Sequence, residues 1–143
     1  MTRSGLIPEA HLLLLRDDHV LLLRRQNTGY QDGNYGLIAG HVESDETARQ
    51  GMVREAAEEA GLILDPRNLV LCHVMHRKSA AERVSFFFRA ARWTGEPRNL
   101  EPDKCSDLSW FPVASLPANM VPYVRQALEM VLRGEAYSEH GWT

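Results

Sequence analysis

Six carboxylates crowd into one short stretch of the chain: Glu43, Asp45, Glu46, Glu55, Glu58 and Glu59. The last three carry the clearest chemical message. On a helix Glu55 neighbours Glu58 at i+3 and Glu59 at i+4, with roughly 5–6 Å between side-chain positions. At about 5 Å and an effective dielectric of roughly 20, each like-charged pair repels by about 3 kcal/mol. Such a cluster is costly unless a cation neutralises it. Ligands that are all oxygen select a hard ion, magnesium or manganese, rather than zinc. A solvated acidic face, partly balanced by Arg49 and Arg54, is the alternative that residue types alone leave open.

Spacing decides between the two. From Gly40 the chain reads GHVESDETARQGMVREAAEEAGL, which fits the pattern G-x5-E-x7-R-E-U-x-E-E-x-G-U, with U aliphatic. Gly40, Glu46, Arg54, Glu55, Glu58, Glu59 and Gly61 fill the fixed positions, and Ala56 and Leu62 the aliphatic ones. At average residue usage, seven fixed matches arise by chance about once in 10⁸ placements. The pattern is the Nudix signature, and the chain resembles that family. The resemblance implies an α/β fold, an alpha/beta/alpha sandwich with a mixed sheet between helices, in which the signature forms a loop-helix-loop. It implies that Glu55, Glu58 and Glu59 bind Mg²⁺ (or Mn²⁺), that Arg54 orients one of them, and that Glu46 is structural. It also implies a backbone carbonyl ligand just before the signature glycine, here that of Ala39. The family more often has Pro-Gly-Gly where this chain has Ile38-Ala39-Gly40, and alanine lacks glycine's conformational freedom.

The reaction implied is hydrolysis of a nucleoside diphosphate linked to another group. Phosphoryl transfer needs in-line geometry and neutralisation of charge spread over oxygens, which bridging metals supply. A nearby carboxylate then takes the proton from water. Glu58, Glu59, Arg54 and Glu101 are the candidate catalytic residues.

Outside the signature the chain resembles the MutT type, which cleaves oxidised purine nucleoside triphosphates such as 8-oxo-dGTP to the monophosphate and pyrophosphate. Leu23-Arg24-Arg25 is similar to a strand end whose arginine contacts substrate, at the position of Arg25. Arg92-Trp93-Thr94-Gly95-Glu96-Pro97, followed by Glu101, is similar to a stretch ending in a further metal-binding or basic glutamate. Pro117-Ala118-Asn119 is similar to a segment whose asparagine reads the base. Each match has a plain alternative: a solvated strand end for Arg25, a solvated loop for Glu101, and a helix cap for Asn119. Features expected of dinucleotide-sugar, diadenosine-polyphosphate and NADH members beyond the signature are not seen. Cleavage of ADP-ribose or a nucleotide-sugar is the second enzymatic reading, and a non-catalytic nucleotide sensor the reading from another class.

The elements that must position these residues follow from patterning. Ala10 to Leu15 and Val20 to Leu23 suggest a hairpin around Arg16-Asp17-Asp18-His19. Asn27 to Asn34 reads as a loop, and Tyr35 to Ile38 as a strand leading to Gly40. A helix is expected over Glu46 to Ala60, capped by Asp45 or Ser44 and ended by Gly61. Its apolar face comprises Ala48, Met52, Val53, Ala56, Ala57 and Ala60. Leu69 to Val74 and Val84 to Ala91 read as strands, and Val121 to Leu132 recurs at helical spacing. Strands, helix, strands, helix point to a mixed sheet rather than a doubly wound one.

Composition sets the frame. The 143 residues suit a single domain over 1–143, and 44% apolar with 24% charged residues is ordinary for a globular chain. The net charge of -3 gives no long-range attraction to nucleic acid or an anionic membrane, so local cations or metal must hold a polyanionic ligand. The expected partner is a small nucleotide rather than a nucleic-acid polymer or a membrane, and monomer and homodimer both remain open. Only Lys78 and Lys104 among the 16 basic residues are lysines, and arginine suits bidentate phosphate contacts. Cys72 and Cys105 lack metal-ligand spacing and read as reduced thiols of a cytoplasmic protein. No signal peptide or membrane span is expected from the short apolar run Leu12 to Leu15. None of the six histidines has ligand spacing.

Overall fold

The apolar run from Ala10 to Leu15 does not fold as one arm of a hairpin. In the computed structural model, which describes residues 2, 3 and 5–143, strand β1 covers Ile7–Leu13 and β2 covers Leu15–Arg16. Only β2 turns back onto the next strand, β3 (His19–Arg25), pairing Leu15 with Val20. Asp17 and Asp18 make that turn with φ of 51° and 59°, a left-handed geometry that aspartate tolerates better than most residues. β1 pairs elsewhere, so the expected hairpin shrinks to its tip.

Two short strands, β4 (Tyr35–Gly36) and β5 (Ile38–His41), follow and are likewise divided between sheets. Strands β6 (Leu69–Lys78) and β7 (Glu82–Ala90) form a long antiparallel pair after a 3-10 turn at Pro66–Asn68. Two further strands, β8 (Cys105–Pro112) and β9 (Tyr137–His140), had no clear sequence signal. The five-stranded sheet has the order β5-β1-β7-β6-β9. β1 runs parallel to β7 and β9 parallel to β6, while the other pairs are antiparallel. In the smaller sheet β3 pairs with β8 along its length and with β2 and β4 on its other edge.

Alternation along the strands places helices on both faces of the larger sheet. Leu12 and Phe88 pack with Met52, Ala56 and Ala60 of helix α1 (Ala48–Ala60). Their chain neighbours Leu13 and Phe87 pack with Val124, Ala127 and Leu128 of helix α2 (Pro122–Leu132). The result is an alpha/beta/alpha sandwich around a mixed sheet. Small residues on α1 let its backbone come close to β1 and β5, although Ala57, expected on that face, is exposed.

Helix α1 begins two residues later than expected. Asp45 has a φ of 65° and lies outside the helix, and neither it nor Ser44 is the cap. Thr47 is the cap: its hydroxyl accepts from Gln50 N–H at 3.1 Å, while Gln50 Oε1 accepts from Thr47 N–H at 2.8 Å. This reciprocal pair satisfies two otherwise orphaned donors. Gly61 ends the helix with φ 68°, as glycine does after a final turn. We expect Thr47→Ala to cost about 1 kcal/mol in urea unfolding, and Ser44→Ala or Asp45→Ala to cost clearly less. A larger loss from Ser44→Ala would show the cap to be misassigned.

Candidate active site

Helix α1 presents its acidic residues to a cavity of about 380 Å³. Glu55, Glu58 and Glu59 line one side, Ala39 comes from β5, and Arg25 from the end of β3. Glu101, Lys104 and Asn99 arrive from the segment before β8. Residues 25, 39, 55, 58, 59 and 101, scattered in sequence, thus border one space. Lys104 is an addition that sequence reasoning passed over, although it is one of only two lysines.

Arg54 organises the acidic side. Its guanidinium donates to Glu46 (2.8 Å and 3.2 Å), to Glu55 Oε1 (2.8 Å) and to Glu58 Oε2 (3.3 Å). It also donates to the His41 carbonyl at 3.0 Å, tying the helix to strand β5, which carries Ala39 and Gly40. Glu46 additionally accepts from Glu43 N–H at 2.8 Å, so it fixes the approach to the helix. Arginine's planar fork can hold several carboxylates in set orientations, which a lysine point charge would not.

Glu59 is the exception among these acids. Its Oε2 is buried with no hydrogen-bond partner. Burial pushes its carboxyl well above the ordinary carboxylate range, the neighbouring Glu55 and Glu101 push the same way, and the Ala39 N–H opposes them only weakly. An orphaned, buried acidic oxygen among other carboxylates is an unbalanced charge site. The donor set is oxygen throughout, which fits a hard divalent cation. Among the described residues no three acidic, His or Cys side chains are already gathered around a common point. Glu55 and Glu58 instead each turn one oxygen to Arg54.

Gly40 leaves room for the Glu55 carboxylate: a Cβ there would lie 2.2 Å from Glu55 Oε1 and would push that side-chain end from its place beside Arg54. Neither Gly40 nor Ala39 has a left-handed backbone among the positive-φ residues, so the alanine before the signature glycine imposes no strain.

A larger cavity of about 610 Å³ adjoins the first, sharing Arg25, Ala39 and Lys104 with it. Its wall holds a buried polar cluster that the sequence did not announce. Glu9 accepts from Arg77 at 2.6 Å, from Arg83 at 2.9 Å and from Ser85 at 3.0 Å. Burial would raise the Glu9 carboxyl, but His11, Arg77 and the hydrogen bonds overcome it and hold Glu9 below the ordinary range. The only hint in sequence was a charged residue inside each of two apolar strands. Asn119 borders neither cavity: its side-chain amide donates to the Gly33 carbonyl at 2.9 Å, and its backbone carbonyl accepts from Tyr35 N–H. It is not the cap of α2 either, since Val121 holds that position without a side-chain bond.

Known proteins match this architecture. The NUDIX domain family model matches residues 6–131. A MutT NUDIX hydrolase from Burkholderia pseudomallei superposes with a TM-score of 0.80 at 29% identity, over 88% of this chain and 98% of that one. An NAD-capped RNA hydrolase NudC from Stutzerimonas stutzeri is 28% identical over 79% of this chain and 39% of its own length. The 8-oxo-dGDP phosphatase NUDT18 of Mus musculus is 33% identical over 74% of this chain and 32% of its own length. The chain spans about two-fifths or less of these curated relatives. No helix among the described residues is long and apolar enough to cross a membrane.

The Glu59 environment gives a measurable pH signature. A carboxyl whose folded pKa lies above its unfolded value favours folding below the unfolded value, near 4.5. That contribution is lost as pH rises towards the folded value, because the unfolded chain releases the proton first. In chelator, wild type should therefore lose stability relative to Glu59→Gln as pH rises from 5 to about 8. Parallel stability curves for the two proteins would remove the unbalanced charge.

Proposed function

The chain belongs to the Nudix domain family, and we propose on that basis that it is a magnesium-dependent nucleotide pyrophosphatase. The observation that carries the reading is that Glu55, Glu58, Glu59 and Glu101 line one cavity together with Arg25 and Lys104. The acids suit divalent cations, and the two basic side chains suit the phosphate oxygens that a diphosphate presents.

In this reading Glu55, Glu58 and Glu59, with the Ala39 carbonyl, hold Mg²⁺ (or Mn²⁺). When bound there, the ion would supply positive charge to the diphosphate oxygens and would make water a stronger nucleophile. Arg25 and Lys104 bind the phosphates at the seam of the two cavities. Arg54 keeps Glu55 and Glu58 oriented, and so is a positioning residue. Glu101 and Glu59 are the candidate proton acceptors for the attacking water. In the substrate class we favour, a nucleoside triphosphate, attack releases monophosphate and pyrophosphate. An oxidised purine such as 8-oxo-dGTP is the first compound to test, supported by the MutT-like segments around Arg25 and Glu101. The second cavity, larger than the first, also has room for the other half of a dinucleotide. ADP-ribose and NAD-capped RNA, named in relatives of this chain, are therefore the second reading, and a nucleic-acid partner stays open with it.

Screening nucleoside triphosphates, ADP-ribose and NAD-capped RNA with Mg²⁺ for released phosphate products tests this directly. Glu58→Gln should lower turnover by about a hundredfold or more while the protein stays folded. Glu101→Gln should lower kcat more than it raises KM. Near-normal magnesium-dependent turnover in Glu58→Gln would overturn the metal-holding role, and unchanged kinetics in Glu101→Gln would return Glu101 to a solvated loop.

A further inference from the structure

The turn that brings Glu101 and Lys104 to the carboxylate cavity is not held by burial. Residues 101–104 are all exposed, and the first buried side chain after them is Cys105. Within the turn, Lys104 N–H and Cys105 N–H both donate to the Glu101 carbonyl at 2.9 Å. Those two bonds give the turn its shape but do not fix where it sits. A short exposed turn opens easily unless something outside it grips its backbone.

The grip comes from the two residues that follow Arg25. The Gln26 side-chain amide donates to the Pro102 carbonyl at 2.7 Å, and Gln26 N–H donates to the Lys104 carbonyl at 3.0 Å. Between these, the Asn27 side-chain amide donates to the Asp103 carbonyl at 3.0 Å. Three consecutive carbonyls are thus met by two adjoining residues. Asn27 has a φ of 54°, a left-handed geometry that asparagine tolerates, so one residue type serves both the backbone and the bond. The pairing of β3 with β8 slips at the same place: Arg24 faces Asp107 and Arg25 faces Cys105, which leaves Ser106 as the extra residue of a bulge. A bulge bends its strand and re-aims what lies beyond it, and here side-chain amides take over where regular pairing ends. From the other side, Asn99 accepts from Glu101 N–H at 3.0 Å and donates to the Cys105 carbonyl at 2.7 Å.

We propose that Gln26 and Asn27 are positioning residues that lock the Glu101 turn to the strand end carrying Arg25, so that Glu101 and Lys104 hold their places on the cavity before any metal or nucleotide arrives. What Glu101 does there rests on the pyrophosphatase reading; the locking rests on the hydrogen bonds alone. Gln26 borders neither cavity, so it reaches the site only through the turn. Asn27 does border the carboxylate cavity, and Gln26 is therefore the residue on which turnover is tested.

Two readouts separate a lock from a plain contribution to stability. Amide hydrogen exchange of the metal-free protein reads the turn directly. Gln26→Met keeps the side-chain length and loses the donor, while Asn27→Gly keeps the left-handed backbone and loses the side chain. Together they should speed exchange at Lys104 and Cys105 about tenfold or more, leaving the amides of α1 unchanged. Gln26→Lys returns a donor to this position and, in the Asn27→Gly background, should recover part of the protection. The second readout is a mutant cycle on turnover. Gln26→Met should lower kcat about tenfold, because a small misplacement of a reacting group is costly. The same change should cost kcat less than about twofold when Glu101 is already Gln, whereas any rise in KM through Lys104 should persist in both backgrounds. Melting curves establish that each variant is folded. Exchange at Lys104 and Cys105 that keeps the wild-type rate in the folded double variant would overturn the lock, and so would an equal kcat loss in both backgrounds. Faster exchange in a protein whose wild type hydrolyses no nucleotide would uphold the lock while defeating the pyrophosphatase reading. Hydrolysis with unaltered exchange would do the reverse.

Discussion

Like charge held in place is the constraint on which the site depends. Glu46, Glu55 and Glu58 all reach the one guanidinium of Arg54, which also grips the backbone of His41. Without that cation the like charges on α1 would lose their common partner, and β5 would lose its tie to the helix. The bonds to Glu46 and Glu55 are partly buried, so solvent screens them less than surface pairs. Glu59 stays outside this arrangement, and its bare oxygen leaves the charge incompletely balanced. The architecture around the hub follows from the same need. Gly40 leaves room for Glu55 beside Arg54, and the small face of α1 lets the helix sit close enough to β5 for Arg54 to reach.

The two adjoining cavities contain every buried side-chain atom that lacks a partner among the described residues: Glu59 Oε2 in one, and both His11 nitrogens at the other. Elsewhere buried polar groups are satisfied. His73, for example, is bonded through both nitrogens, to the Glu135 carbonyl and to Ser138. His73 is thus tied through its ring nitrogens, whereas His11 is held by packing alone. Unmet polar capacity is concentrated where a ligand would enter, as expected if the fold is satisfied first and the site kept incomplete.

Much of this was legible in the sequence, and the parts that were not share a cause. The acidic helix could be read because its information is local: spacing fixes which carboxylates share a face, and Gly61 marks the end. Its start was misplaced by two residues because Ser44, Asp45 and Thr47 are all good caps, and only the left-handed backbone of Asp45 separates them. The run from Ala10 to Leu15 misled because apolar continuity does not say which sheet claims each half. Strand β8 mixes Ser106, Asp107 and Ser109 with aromatics and shows no clean alternation, so its pairing with β3 was invisible. The Glu9–Arg77 pair spans two strands far apart in sequence, and the bare nitrogens of His11 are a property of packing. No pattern along the chain encodes either.

The strand β9 carries a consequence for assembly. It runs parallel to β6, joining Val74 to Tyr137 and Arg77 to His140 across about sixty residues of chain. Trp142 adds a bond to the His76 carbonyl, and Gly141 passes so close to Lys78 that any Cβ would collide with its carbonyl. Closing so large a loop is slow, and parallel pairing cannot be nucleated by a tight turn. During folding, β6 therefore waits with one row of amides and carbonyls open, flanked by exposed Val70 and Leu71. That interval is when a second nascent copy could zip onto the same edge. Once docked, the four-residue β9 replaces the ten-residue β6 as the edge of the sheet, which leaves a much shorter template for such pairing.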